Sequence, residues 1–237
     1  WVHHALVSDR GISVAVIEKP AWTLRVGTSH RAVVDGGTVR ATATATFFEG
    51  TPVAGVQLKL GSGSGSIVTT SQAGTASRRV TLRFAGGEDW EDWGSGQWDV
   101  REIGARPRLP EESEMYAGAR VAVFRASVIL RSGAILAGDR VVVSGTVHDV
   151  ALARFDRSDE PWFDEVDPFG QVRAGQRVRV RTVEHIYRTR QTGTTYDWVL
   201  KQTVPVYTTT ETTRDLGTRS IRSDGDGRFR VTFPATD

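Results

Sequence analysis

Hydrophobic side chains recur at every second position along most of this chain, and glycine- and proline-rich breaks interrupt them at short intervals. Over residues 38–48, Val39, Ala41, Ala43, Ala45 and Phe47 fall on one side, and Thr38, Arg40, Thr42, Thr44 and Thr46 on the other. Successive side chains of an extended chain point to opposite faces, so this spacing predicts a strand with one face buried and Phe47 leading it. The same spacing returns at Ile12, Val14 and Val16; at Trp22, Leu24 and Val26; at Val56, Leu58 and Leu60; and at Val80, Leu82 and Phe84. Between these runs lie Gly36-Gly37, Glu49-Gly-Thr-Pro52, the Gly-Ser-Gly-Ser-Gly run of residues 61–65, and Gly74. Such residues break strands and permit turns. No helical periodicity persists for even three turns. The fold class expected is all-β, with two tandem immunoglobulin-like β-sandwich domains.

A chain of 237 residues suits two domains of ordinary size, each with its own core. Residues 85–118 turn to Gly, Pro, Trp and carboxylates, and read as a loop plus linker with one strand over residues 97–102 inside it. The domains expected are therefore 1–118, carrying that Trp/acidic loop, and 119–237. The second half opens with a strand over residues 120–130 and another over 139–149, where Val141, Val143 and Val147 point inward. A polar, acidic stretch over 154–170 follows. Next comes a long strand from Gln176, with Val178, Val180 and Thr182 on one face and Arg177, Arg179 and Arg181 on the other. Val183 and Tyr187 then fall out of phase, which signals a bulge or departure from the core. Residues 191–194 read as a hairpin turn and 196–207 as the returning strand of a protruding ribbon. The expected partner of Arg219–Arg222 is the run Phe229, Val231 and Phe233, across the turn Asp224-Gly-Asp-Gly227.

Composition removes several functions. There is no cysteine, hence no disulfide, thiolate metal site or cysteine nucleophile. The net charge is only +2, which gives little field for nucleic acid. No apolar run approaches the roughly 20 residues of a spanning helix, so no membrane insertion is expected of this part. The chain starts at Trp1 and holds only one methionine, Met115, so it reads as a piece of a larger protein.

No catalytic or metal-binding set emerges, and no cofactor is expected. His148 and Asp149 are neighbours on a strand, so they point apart and cannot act as base and orienter. Residues 61–65 never place serine in the order a nucleophile elbow requires. His3 and His4 alternate across a strand, and His30, His148 and His185 are scattered. Asp224-Gly-Asp-Gly227 starts like a calcium loop, but Arg228 stands where the next oxygen ligand belongs. Asp156, Asp159, Glu160, Asp164, Glu165 and Asp167 form an acidic run, and such runs are ordinarily solvated. The binding candidates are Trp90, Trp93 and Trp98, three indoles set among carboxylates, where exposed rings would stack on sugars or dock a protein. The plainer reading is that they fold back over one end of the sandwich. The arginine stripe at 177, 179 and 181 reads as the solvated face of a strand.

Ile135-Leu-Ala-Gly-Asp-Arg-Val-Val-Val-Ser-Gly-Thr-Val147 resembles the opening of macroglobulin domains in bacterial α2-macroglobulin-like proteins: a glycine-acid turn, then alternating valines running to a glycine, here Gly145. Ala137 stands where that pattern has proline. Asp226-Gly-Arg-Phe-Arg-Val-Thr-Phe233 resembles the closing hairpin of such domains, and Ser8-Asp-Arg-Gly-Ile-Ser-Val14 a segment between them. Glu49-Gly-Thr-Pro-Val-Ala-Gly-Val56 also resembles the immunoglobulin-like repeats of invasin-type adhesins. In the macroglobulin-like family a stack of sandwiches frames a bait region and a thioester domain that trap proteases. The resemblance implies a scaffold role alone, since the thioester needs cysteine.

The expectation is a non-catalytic scaffold fragment of an exported bacterial protein, extracellular or in the cell envelope, whose partners are other domains of that protein. The alternative is an adhesin-type stalk, or a module binding proteins or glycans through the tryptophan loop.

Overall fold

The computed structural model describes residues 22–86, 96–108, 115–159 and 162–234. Strands take up 66% of the described residues and helix 3%, so the class is all-β, as the alternation predicts. The described residues fall into two compact units. One holds those up to Arg125 together with Phe155–Val166; the other holds Ala126–Arg154 and those from Asp167 on. The strand expected at Ile12, Val14 and Val16 lies outside the described residues.

The first unit contains β1 (Trp22–Thr28), β2 (Ala32–Val34), β3 (Thr38–Phe47), β4 (Gln57–Gly61), β5 (Ser66–Thr69), β6 (Thr75–Thr81), β7 (Trp98–Pro107) and β8 (Ala117–Phe124). They form a three-stranded sheet in the order β1-β3-β6 and a five-stranded sheet in the order β2-β8-β7-β4-β5. Val39, Ala41, Ala43 and Ala45 of β3 lie in one core with Leu58, Leu60, Ile103, Ala105, Val121 and Val123 of the larger sheet, all of them 0% exposed. Small side chains on β3 share this core with larger ones on β4, β7 and β8, the alternation of sizes that lets two layers interdigitate. Each large apolar side chain buried there contributes about 1.5–3 kcal/mol.

Part of the stretch expected to be linker is a central strand. β7 runs on through Ile103 and Ala105 and pairs with β4 on one side and β8 on the other. The Gly, Pro and Arg of its sequence hide an alternation whose inward members are only Ile103, Ala105 and Pro107. The single strand expected over 120–130 is two: the chain bends between Phe124 and Val128, and β8 joins β7 and β2. The run of residues 61–65 connects the antiparallel pair β4 and β5.

The second unit is built from β9 (Val128–Ala137), β10 (Arg140–Val150), β11 (Phe169–Val172), β12 (Arg177–Asp197), β13 (Gln202–Arg222) and β14 (Arg228–Pro234); the short helix α1 (Leu152–Arg157), between β10 and β11 in the chain, starts in this unit and its last three residues belong to the first. β10 is the centre of its sheet. One edge pairs with β9 along its whole length, and the other with β14 over Arg140 to Thr146 and then with β11. β12 and β13 form a separate two-stranded sheet. Val178 from that sheet meets Val147 and Phe229 in a core, with Val128, Leu130, Val143, Val180 and Ile221 packed against it.

Gly145 is the residue that lets β9 lie this close to β10. A Cβ there would come within 2.3 Å of the Arg131 carbonyl oxygen and 2.8 Å of Ser132 Cα. The turn at 224–227 forms as expected: Asp224 Oδ1 accepts from the N–H groups of Asp226 and Arg228 at 2.9 and 2.8 Å. The strand beyond it does not pair back, however. Phe229, Val231 and Phe233 are hydrogen-bonded neighbours of Gly145, Val143 and Val141, while Arg219 and Arg222 oppose Val180 and Arg177. The turn thus carries the chain from one sheet to another. Ser223 fixes the crossing, since its hydroxyl accepts from the Gln176 N–H at 2.9 Å and donates to the Arg173 carbonyl at 3.1 Å.

Candidate functional site

Of the three binding candidates, Trp90 and Trp93 lie outside the described residues. Trp98 starts β7, half-buried. Its ring stacks on Phe124 at 5.7 Å, and Phe155 meets it edge-on at 6.0 Å. Phe155, which comes from the stretch expected to be a polar loop, is fully buried, and Phe163 nearly so. The two rings lie 5.4 Å apart, and the Arg31 guanidinium sits 4.7 Å from the Phe163 centroid. Acids around these two rings disguise them in the sequence. Asp156 accepts from the Arg31 N–H at 2.6 Å and pairs with His30 Nδ1 at 2.9 Å, while Arg31 also donates to the Ser158 carbonyl. Asp167 of the same acidic run pairs with Arg154 at 2.9 Å. Asp156 and Asp167 of this run thus serve different cations instead of converging.

His148 and Asp149 are likewise engaged apart. His148 Nδ1 lies 3.1 Å from the Gly170 carbonyl, which can only accept, and Nε2 lies 2.8 Å from the Thr146 hydroxyl. In the neutral ring Nδ1 therefore carries the proton and Nε2 accepts. Asp149 takes Arg173 at 2.5 Å.

Two open grooves, each of about 570 Å³, lie one in each unit. Val26, Arg31, Glu102, Arg120 and Asp159 line the first, and Thr146, Arg222, Asp224, Arg228 and Arg230 the second. Beside the first, the Arg120 guanidinium covers one face of Trp162 at 3.2 Å, a cation–π contact that leaves the indole 48% exposed. At its edge, partial burial, and then the hydrogen bond to Glu102, push the Tyr116 hydroxyl above its ordinary pKa.

The most exposed apolar surface among the described residues is on the β12–β13 ribbon. The arginines at 177, 179 and 181 are solvated, alternating with buried Val178 and half-buried Val180, as expected. At Thr182/Val183 the register shifts, with Leu216 the extra residue on β13. Asp215 secures this bulge by accepting from the Gly217 N–H at 2.8 Å and from Arg181 at 2.9 Å. Past it, most side chains on both strands are exposed.

The hairpin does not turn at 191–194. A second register shift occurs there, between Gln191 and Gly193, and the strands continue to Asp197 and Gln202. The four-residue tip is Trp198-Val-Leu-Lys201. Asp197 Oδ1 accepts from the Val199 and Leu200 N–H groups at 2.8 and 3.0 Å, and Lys201 takes the left-handed conformation at φ 52°. This is a side-chain-closed turn, in which aspartate replaces the carbonyl that would otherwise receive those bonds. Trp198, Val199 and Leu200 are 83%, 90% and 61% exposed, and the Tyr196 ring braces Trp198 edge-on at 4.9 Å. A hydrophobic triplet between two β-prone runs reads as strand in the sequence, which is why the tip escapes notice there.

No protein-family model matches the chain, and no curated protein matches it. Among solved structures, the chain is similar to the native conformation of E. coli alpha-2-macroglobulin, at 10% identity and a TM-score of 0.44, over 98% of this chain and 16% of that one. Salmonella alpha-2-macroglobulin reacted with methylamine is similar at 10% identity and 0.45, with the same coverage. The adhesin InvE of Yersinia pseudotuberculosis is similar at 13% identity and 0.33, over 90% of this chain and 51% of that one. The chain therefore spans about a sixth of the macroglobulins it resembles.

Proposed function

We propose that this chain is a non-catalytic, immunoglobulin-like scaffold fragment of an exported, macroglobulin-like bacterial protein. The observation that carries the reading is the join between the two motifs that resemble the start and finish of a macroglobulin domain. The valines of β10 and the Phe-Arg-Val-Thr-Phe of β14 are hydrogen-bonded neighbours in register, Val141 with Phe233 and Val143 with Val231. Gly145, which ends the first motif, sits opposite Phe229 and is held to glycine by the closeness of β9. The charged groups beside these strands clasp neighbouring segments, as in Arg173–Asp149 and Arg154–Asp167. In this role the units hold other domains of the same protein at fixed spacing.

The test is the whole open reading frame and its product. The scaffold reading expects a bait segment and a cysteine-bearing thioester domain elsewhere in that frame, and a product that retains a protease able to cut small substrates but not large ones. Tandem copies of the present module would replace this reading with the adhesin-type stalk. A binding module is the second reading, favoured by Trp162 beside the polar groove. It expects a glycan array or protein ligand to respond to the intact chain and not to Trp93→Ala or Trp162→Ala. Turnover of any polysaccharide or peptide by the purified chain would end the non-catalytic reading.

A further inference from the structure

We infer that the free edge of β14 takes up an extended acidic peptide from another polypeptide, bound as an added strand. The inference goes beyond the scaffold reading and stands without it.

Backbone pairing supplies the first observation. β14 ends its sheet, with β10 on one side and no described strand on the other. The Val147 N–H donates to the Gly227 carbonyl at 2.9 Å, and opposite residues of an antiparallel pair alternate between bonded and non-bonded. The bonded partners of β10 are therefore Phe229, Val231 and Phe233, so the N–H and C=O groups of Arg228, Arg230 and Thr232 point away from it. The turn takes those of Arg228: its N–H donates to Asp224 Oδ1 at 2.8 Å, and its carbonyl accepts from the Asp224 N–H at 2.9 Å. Arg230 and Thr232 remain, a short open row beside the groove that Arg222, Arg228 and Arg230 line. An extended peptide completes such an edge with main-chain hydrogen bonds.

Charge supplies the second. The second unit holds fifteen basic side chains of lysine and arginine and ten acidic ones. Residues 126–154 and 167–172 balance at three of each, and the outer ribbon, residues 183–215, at four of each. The excess of five therefore falls entirely on residues 173–182 and 216–237, the base of the ribbon and β14 with the turn before it. Arg222, on the β13 side of the groove, is also the direct cross-strand partner of Arg177, and the two line an adjoining hollow of about 280 Å³. Like charges set directly opposite destabilise a ribbon, and among the described residues no acid pairs with Arg177, Arg222 or Arg230. Asp224 Oδ1 is engaged in the turn, and Asp226 reaches only Arg228, at 3.8 Å.

The two observations together select the occupant. Charged side chains on an edge keep like molecules from joining there, so Arg228 and Arg230 oppose pairing with a second β14 and favour a strand that carries acids. Side chains of the added strand alternate between faces as those of β14 do. Acids two residues apart then lie beside Arg228 and Arg230, and an apolar residue between them lies on the Phe229 side. A free oxyanion or an acidic polysaccharide would answer the arginines but leave the backbone row of Arg230 and Thr232 unpaired.

The probe is a fluorescein-labelled peptide, Glu-Val-Glu-Val-Glu-Val-Glu, titrated with the full 237-residue chain and read by anisotropy. It is expected to bind, and to weaken as salt is raised. The same peptide with N-methylated backbone amides, and the block sequence Glu-Glu-Glu-Glu-Val-Val-Val, are expected to bind about tenfold more weakly or not at all. Arg228→Glu/Arg230→Glu is expected to cut binding by about tenfold or more and to admit the Lys-Val-Lys-Val-Lys-Val-Lys peptide instead. Both side chains are exposed, so thermal unfolding of that variant should match the parent. Thr232→Pro removes an outward N–H without touching the bonds to β10, and should lose the peptide while the arginines stay in place. Absence of binding by the alternating peptide overturns the proposal. Equal binding of the N-methylated or block peptide overturns it in favour of charge attraction alone, and binding that the glutamate pair leaves unchanged overturns it as well. Self-association of the parent chain that the glutamate pair abolishes overturns it in favour of a second copy. None of these outcomes touches the scaffold reading, which the open reading frame decides.

Discussion

β3 and the β12–β13 ribbon carry the same alternation and meet opposite fates. In β3 the inward residues Val39, Ala41, Ala43 and Ala45 are all fully buried, because β1 and β6 flank the strand and the five-stranded sheet covers it. In β12, Val178 is buried, Val180 is half-buried, and by Tyr187 the exposure is 64%. Nothing in the local sequence separates Thr38-Val-Arg-Ala from Arg177-Val-Arg-Val. A two-residue rhythm specifies an extended chain with two different faces; whether a second layer exists to cover one of them is decided elsewhere. The ribbon persists in water because its faces are held by cross-strand pairs, such as the Thr189 and Thr209 hydroxyls at 3.0 Å and His185 with Glu211 at 2.5 Å.

The sharpest test of that contrast is a matched pair of truncations. Leu58→Ala empties a fully buried site between the two sheets of the first unit and should cost about 2–5 kcal/mol. Tyr207→Ala, on the exposed ribbon, should stay within about 0.5 kcal/mol. Guanidinium unfolding followed by circular dichroism reads both. Equal losses would mean that the ribbon is covered in solution, and the contrast between the two regions would fail.

A smaller but still clear effect is expected at Gly145, where the sheet of the second unit tolerates no side chain. The Cβ of Gly145→Ala must displace a backbone carbonyl, so β9 and β10 separate locally at a cost of about 1–3 kcal/mol. Gly133→Ala, in the facing strand, meets nothing within 4 Å and should be close to neutral. Amide exchange at Arg131 and Ser132 distinguishes the two. Equal protection in both variants would show that the close approach at Gly145 is not what holds these strands together.

The alternation sufficed for β1, β3, β4 and β6, where strand and core face are the same property seen twice. It stopped short at β7, because the inward face holds only Ile103, Ala105 and Pro107 and continues into Arg101 and Asp99, so it is complete only when β4 and β8 are in place. It failed at Phe155 and Phe163, whose acidic neighbours suggest solvent although Phe155 packs on Trp98 and Phe124 and Phe163 packs on Phe155. The closing turn was legible from Asp224-Gly-Asp-Gly227, but not the partner of the strand after it, since pairing is a long-range choice among sequence-compatible edges. The ribbon was foreseen and its turn misplaced. Gln191-Thr-Gly-Thr194 is turn chemistry, yet a bulge uses the same residues, and the real turn depends on an aspartate reaching two N–H groups past a tryptophan.

The smallest expected effect lies at the base of the ribbon, where the covered and uncovered parts of β12 meet. The Gly217 N–H, and after it the Arg181 guanidinium, hold the Asp215 carboxyl below the ordinary carboxylate range. A group whose pKa is lower folded than unfolded supplies stability that is complete above the unfolded value and is lost as pH falls through the folded one. Acidification should therefore loosen the Thr182/Val183 bulge before it affects either core, and Asp215→Asn should make the local response flat across the same acid range. Because the pair is solvent-exposed, the effect should be slight and should shrink with salt. Exchange of the Gly217 amide followed by NMR from neutral to acid pH reads it directly. If that amide becomes better protected in acid, or if the asparagine variant keeps the parent's pH response, Asp215 is not what ties the outer ribbon to its covered base.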